Sequence, residues 1–181
     1  MRRTLLFMLG GLLLGGIIHV AIVFMVPYYA NSDAWAEMHR FGADEQFHLL
    51  PTPAPGDEPL ASLDPRMAQA VCRFSLSDGP LRVTADLPDD FWSVAVFDRR
   101  GRNVYSLNDR AADRQKLDLA ILTPVQLAQV QQDPPASLDN LLVVPLAIDE
   151  GLVLLRVFVP DESMHQVALD ALATANCSGS L

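Results

Sequence analysis

Residues 91–108 read FWSVAVFDRRGRNVYSLN. Phe91 to Phe97 is apolar on both alternating faces apart from Ser93, the pattern of a central strand covered on both sides. Asp98-Arg99-Arg100-Gly101 supplies a tight turn, and Asn103 to Asn108 returns as a second strand. A hairpin at this point commits the chain to a sheet. Upstream, Ser77-Asp78-Gly79-Pro80 forms a turn, after which Leu81, Val83 and Ala85 alternate with Arg82, Thr84 and Asp86 in the period of a half-buried strand. Downstream, Leu117 to Leu122 is the next strand, with Leu117, Leu119 and Ile121 on one face.

Helix signals punctuate these strands. Thr123-Pro124-Val125-Gln126 combines a capping box with proline at the first helical position, so a helix should run from there to about Gln132 and stop at Asp133-Pro134-Pro135. Asp64-Pro65 has the look of an N-cap, with Met67, Ala70 and Val71 as a short apolar face up to Cys72. Asp161 or Ser163 should cap a last helix whose stripe is Met164, Val167, Ala168, Ala171, Leu172 and Ala175. Between them lie two apolar strands, Leu141 to Ile148 and Leu152 to Val159. Pro145 removes a ladder donor from the first and suggests an edge strand or a bulge. The expected fold class is α+β: a mostly antiparallel sheet with about three helices, after Asp64, Thr123 and Asp161, the last packed on the sheet.

The N-terminus has a different character. Thr4 to Val26, TLLFMLGGLLLGGIIHVAIVFMV, holds 23 residues without a formal charge. As a helix it would reach about 34 Å, slightly more than a bilayer's hydrocarbon core. That is longer than the apolar core of a cleaved signal, and small residues suited to cleavage do not follow closely, so it reads as a retained transmembrane helix. Arg2 and Arg3 precede it and Asp33 and Glu37 are the first charges after it, which puts the N-terminus in the cytoplasm and the rest outside. Tyr28, Tyr29 and Trp35 suit the membrane interface. Gly11 and Gly15 have GxxxG spacing and would let two copies approach as a homodimer, although bilayer helices are rich in glycine anyway. His19 reads as a neutral histidine in the outer half of the bilayer or as a contact with a partner helix.

Leu50 to Pro59 has four prolines in ten residues, an extended spacer or surface loop. The chain thus divides into a cytoplasmic stub and transmembrane helix at 1–26, a juxtamembrane segment and proline-rich linker at 27–59, and an extracytoplasmic domain at 60–181. The outer part holds all 22 acidic residues and all but Arg2 and Arg3 of the 13 basic ones, a net charge of −11. Such a surface repels phosphate backbones, and nucleic acid is excluded as a partner. The two cysteines, Cys72 and Cys177, lie on the outer side, where a disulfide is permitted. They either pair, at the ends of the first and last outer helices, or stand free. They have no CxxC or zinc spacing.

The charge anomaly is basic. Arg99, Arg100, Arg102, Arg110, Arg114 and Lys116 put six basic residues into 18 positions of an acidic domain. They could hold a carboxylate, a phosphate, a lipid headgroup or an acidic partner. The plain reading is that Asp98, Asp109, Asp113 and Asp118 pair with them. Asn108, Asp109 and Arg110 follow the second hairpin strand, where Asp109 could be an acid or base and Arg110 an anion anchor. His39, His48 and His165 are scattered without ligand spacing, and no GxSxG, P-loop or Rossmann glycine pattern occurs. Arg156, in an apolar strand, should snorkel or pair at a sheet edge. No catalytic residue, metal or cofactor is expected.

From Val71 to Asp109, VCRFSLSDGPLRVTADLPDDFWSVAVFDRRGRNVYSLND, the chain resembles the domain of unknown function 1254 (DUF1254) family, through its LSDGP-type turn and (F/Y)WS-type strand. It looks most like the family's short, single-anchor bacterial envelope members. The related domain of unknown function 1214 family shares an FWS-type strand and implies mainly antiparallel β structure and a companion protein. The resemblance carries no activity, and its motif residues Ser77, Asp78, Gly79, Pro80 and Trp92 read as turn and core determinants. The function expected is therefore that of a single-pass bacterial inner-membrane protein with a periplasmic, non-enzymatic module. It would bind an envelope protein partner or ligand through Arg99, Arg100, Arg102, Asp109, Arg110 and Arg114. The alternative is a membrane-tethered enzyme acting on a small anionic substrate near Asn108, Asp109 and Arg110.

Overall fold

The computed structural model of the chain describes residues 2–29, 34–52, 63–112, 115–132 and 141–179. Two units are compact by themselves, Met1–Ser32 and Asp33–Leu181. The first is a single helix, α1 (Arg2–Tyr29). Within it Arg2–Val26, with mean hydropathy 2.4, is long and apolar enough to cross a membrane, a character that a signal sequence shares.

The second unit opens with a short helix, α2 (Ala34–Met38), and a 3-10 turn at His39–Phe41. Strands follow at β1 (Phe47–Leu49), β2 (Met67–Ser75), β3 (Leu81–Asp86), β4 (Trp92–Asp98), β5 (Asn103–Asn108) and β6 (Lys116–Leu122). Then come α3 (Pro124–Gln132), β7 (Leu142–Pro145), β8 (Glu150–Phe158), α4 (His165–Ala173) and β9 (Asn176–Ser178). The strands form two sheets, one in the order β1-β2-β8-β4-β5 and one in the order β7-β6-β3-β9. Every pairing is antiparallel except β6 with β7. The fold class is α+β.

The core lies where inward positions of the two sheets meet. Cys72 and Phe74 of β2, Trp92, Val94 and Val96 of β4, and Val153, Leu155 and Val157 of β8 share one cluster with Leu81 and Val83 of β3 and Leu119 and Ile121 of β6. The β4–β5 hairpin stands as its alternation requires, and Gly101 takes φ +78 in the turn, a left-handed conformation glycine adopts without strain. Gly151 in β8 has a different reason: a Cβ there would come within 2.5 Å of the Phe97 carbonyl and 2.8 Å of the Phe74 ring. Both expected caps form. Thr123 and Gln126 exchange hydrogen bonds of 2.8 and 3.2 Å, and Asp161 accepts from the Ser163 N–H at 2.9 Å. α4 buries Ala168 and Leu172 and packs on β1, β2, β3 and β8.

Three expectations are corrected. Residues after Asp64 form strand β2 rather than a helix. Met67, Ala70 and Val71 satisfy a helical spacing, but Ala68, Ala70, Cys72 and Phe74 also alternate with Gln69, Val71 and Arg73, and pairing on both sides with β1 and β8 decides for the strand. The single sheet is two, and consecutive strands β7 and β8 lie in different ones. Cys72 and Cys177 sit on strands of opposite sheets, β2 and β9, not at helix ends; their sulfurs are at bonding distance and their Cα atoms 6.6 Å apart. Residues 34–50 lie in the second unit, where Ala34, Trp35, Met38, Phe41 and Leu50 pack with Val71 and Leu152 on the outer face of the larger sheet. The proline-rich stretch 53–62 lies outside the described residues.

Candidate functional site

The basic turn is built around one carboxylate. Asp98, the last residue of β4, is buried; its Oδ1 accepts from the N–H groups of Arg100 (3.0 Å) and Arg102 (2.9 Å), and its Oδ2 from Arg102 Nε (2.7 Å). Main-chain bonds from Gly101 N to Asp98 O and from Asp98 N to Arg102 O, each 2.9 Å, close the turn. Burial pushes the Asp98 pKa up, but the N–H groups of Arg102 and Arg100 and the Arg102 guanidinium outweigh it and hold the carboxyl below its ordinary value. A depressed folded-state pKa stabilises the fold fully above the unfolded value near 4, and that contribution is lost as pH falls through the folded one. Asp98→Asn is therefore expected to cost about 2 kcal/mol at pH 7, the scale of hydrogen bonds to a charged group. The gap to wild type should narrow below pH 4, as urea unfolding at pH 7 and pH 3 would measure.

Beside this turn the chain enters the domain. The N–H of Trp35 donates to the Arg99 carbonyl at 3.3 Å. The Arg73 guanidinium lies 4.0 Å from the Trp35 ring centre and that of Arg99 5.5 Å from it. Arg73, 5 % exposed, donates from Nε to Asp44 Oδ1 at 2.6 Å, from Nη2 to the same oxygen, and from Nη1 to the Trp35 carbonyl at 3.0 Å. Arg99 in turn pairs with Glu150 at 2.8 Å. Sequence reading missed this cluster because Asp44 and Trp35 are 29 and 38 positions from Arg73. The one available signal was an arginine inside the apolar run Val71 to Phe74.

The profile of the family described as "Protein of unknown function (DUF1254)" matches residues 45–175. The chain belongs to the DUF1254 family. Among solved structures, the VPA0106 protein from Vibrio parahaemolyticus is similar at 15% identity and a TM-score of 0.58, over 82% of this chain and 34% of that one. An uncharacterised protein from Burkholderia cenocepacia is similar at 15% identity and a TM-score of 0.45, over 73% of this chain and 36% of that one. This chain thus spans about a third of the length of each. The first likeness bears on the fold alone. No curated protein matches the chain.

Within the DUF1254 domain the basic residues do not gather. Arg99, Arg100 and Arg102 stand at the start of β5, whereas Asp109 and Arg110 follow its end, about 20 Å away at strand rise. Arg99 and Arg102 are ion-paired, and Arg100 is exposed with its main-chain N–H engaged. Arg110 is exposed, and Asp109 has its Oδ1 buried without a hydrogen-bond partner among the described residues. Asp113 and Arg114 lie outside the described residues. Asp118 pairs not with this cluster but with Arg82, at 2.8 and 3.0 Å, across the β3–β6 ladder.

Two clefts of the domain lie elsewhere. One of about 400 Å³ is lined by Phe41, Phe47, His48 and Leu172 among others, and one of about 410 Å³ by Thr52, Arg66, Glu162 and His165 among others. Neither includes Asn108, Asp109 or Arg110. Among the described residues no group of three His, Cys, Asp or Glu is placed to hold a metal ion. Arg156 is not at a sheet edge: it sits on β8 between Gln69 of β2 and Ser93 of β4, with Nε buried and unpartnered among the described residues.

Proposed function

We propose that this DUF1254 protein is a single-pass component of the bacterial cell envelope, with α1 in the inner membrane, its N-terminus cytoplasmic and its domain periplasmic. In this reading the domain is a non-enzymatic module that binds an acidic protein partner through the Arg99–Lys116 region. Arg2 and Arg3, the first residues of α1, support the sidedness, and the Cys72–Cys177 pair suits an oxidising compartment. Gly11 and Gly15, with open space where a Cβ would stand, would let two α1 helices approach.

The observation that carries the binding reading is the preorganised turn. Asp98 fixes the backbone of Arg100 and Arg102, and the Arg102 side chain remains 74% exposed. A rigid, exposed cationic tip on a domain otherwise strongly acidic favours an acidic partner and speeds its encounter.

Cross-linking the full chain in its native membrane, with identification of what it captures, tests this. Capture of one acidic partner should fall about tenfold in Arg99→Ser/Arg100→Ser/Arg102→Ser and recover with lysine at the exposed Arg100 and Arg102. Unchanged capture in the triple variant overturns the proposal.

A further inference from the structure

Four strands end the two sheets, and three of them are poor templates for another strand. β1 and β9 have three residues each, and β7 has four and ends in Pro145. β5 differs. It has six residues, NVYSLN, with neither proline nor a charged side chain. Apart from its ladder with β4, no hydrogen bond among the described residues reaches the backbone of Asn103 to Leu107. Edges of this kind are what proteins normally blunt with charge, proline or shortening. The exception here is a bulge, with Val104 the extra residue between Asn103, opposite Phe97, and Tyr105, opposite Val96.

We propose that β5 pairs antiparallel with β5 of a second copy of this chain, joining two five-stranded sheets into one of ten strands. A two-fold axis normal to the sheet and through Ser106 sets Ser106 against itself and Tyr105 against Leu107 of the second copy. Val104 and Asn103 together then oppose Asn108, since a bulge sets two residues against one. The next pair is Arg102 with Asp109 of the second copy, on one face.

Charge argues for a second copy as the occupant. Within one chain Arg102 and Asp109 lie at opposite ends of β5; across the axis they meet twice. Asp109 has no ion pair among the described residues, and Arg102 is largely exposed beside Asp98. One step further Arg110 faces Gly101, so no like charges are opposed in this register. The basic cluster and the acidic group that sequence places together, and one copy separates, are reunited by the pair. The proposal uses the charge of the turn from the reading above but not its acidic partner protein.

Ser106→Cys tests it in the full chain in membranes, because Cys72 and Cys177 are already bridged. Mild oxidation should give a disulfide-linked dimer, while the exposed Ser77→Cys gives none. Ser106→Lys, which sets two ammonium groups face to face, should abolish association in detergent once Gly11→Ile/Gly15→Ile has removed the close approach of α1 helices. With Ser106→Cys as background, Arg102→Asp and Asp109→Arg should each lower the dimer yield about tenfold and restore it when combined. A rescue between residues so far apart in one chain requires two copies. Absence of the Ser106→Cys dimer, a cross-link to a different protein instead, or failure of the double swap to restore the yield overturns the proposal. If the Ser106→Cys dimer is absent while Arg99–Arg102 still captures a partner, strand pairing alone falls.

Discussion

Replacing Cys72 and Cys177 together by alanine should lower the unfolding free energy by about 4 kcal/mol, the largest effect expected of any two side chains here. The bridge closes a loop across 105 positions. For a loop near that length the chain-entropy estimate is about 4.7 kcal/mol, an upper value. Its position adds a second reason. Cys72 and Cys177 are both fully buried in the core between the sheets, and Val83 opposite Cys177 is the middle of only three register pairs that hold β9 to β3. Without the bridge the C-terminal segment keeps that short ladder to the smaller sheet, the hydrogen bonds between Thr174 and Asp86 of β3, and the two buried residues of α4. Urea unfolding of the full chain in detergent measures the loss, and for a domain of this size it corresponds to a fall in Tm of roughly 8–16 °C. A loss under about 1 kcal/mol would mean that the cysteines do not bridge in the folded protein.

What the sequence made legible follows from where information is local. The β4–β5 hairpin, the Thr123 cap, the Asp161 cap and the edge position of Pro145 each depend on residues a few places apart, and each was readable. β2 was not, because its alternation runs through two alanines and a cysteine, whose small side chains weaken the inward signal, while an Asp-Pro start imitates a helix cap. The division into two sheets was not readable either: strands β7 and β8 are joined by a short turn yet separate, and only long-range pairing with β6 and with β2 and β4 assigns them.

The same limit applies to the site. Six basic residues within 18 positions look like one patch in the sequence. In the fold an extended strand of six residues runs through that span and carries its two halves apart. Conversely Trp35, Asp44, Arg73 and Arg99, scattered over 65 positions, meet at one point on the outer face. A strand disperses what sequence clusters, and a sheet face collects what sequence disperses.

That meeting point yields the second large effect, and its sign is informative. Asp44→Asn should destabilise the domain by about 3 kcal/mol, and Arg73→Met by less, although Arg73 is the larger and more buried group. Arg73 is 5% exposed and lies among Val71, Leu152 and the Trp35 ring, whereas the Asp44 side chain is 44% exposed. Replacing the carboxylate by an amide keeps a neutral oxygen acceptor but removes the countercharge, so a guanidinium out of water is balanced only by that oxygen, the Trp35 carbonyl and the π-face. An unpaired buried charge of this kind costs about 3–5 kcal/mol, and the partial exposure of Asp44 places the expectation at the lower end. Removing the arginine instead leaves a carboxylate that water can reach, and methionine fills the vacated apolar space. Buried ion pairs replaced by apolar groups of similar volume are often close to neutral. The combined variant Asp44→Asn/Arg73→Met should accordingly be more stable than Asp44→Asn alone, a coupling that denaturation of the four chains measures as a double-mutant cycle. The reverse order, with Arg73→Met the more damaging, would mean that the arginine acts chiefly by cation–π packing on Trp35, and that the carboxylate is a spectator of the contact holding the entering chain to the sheet.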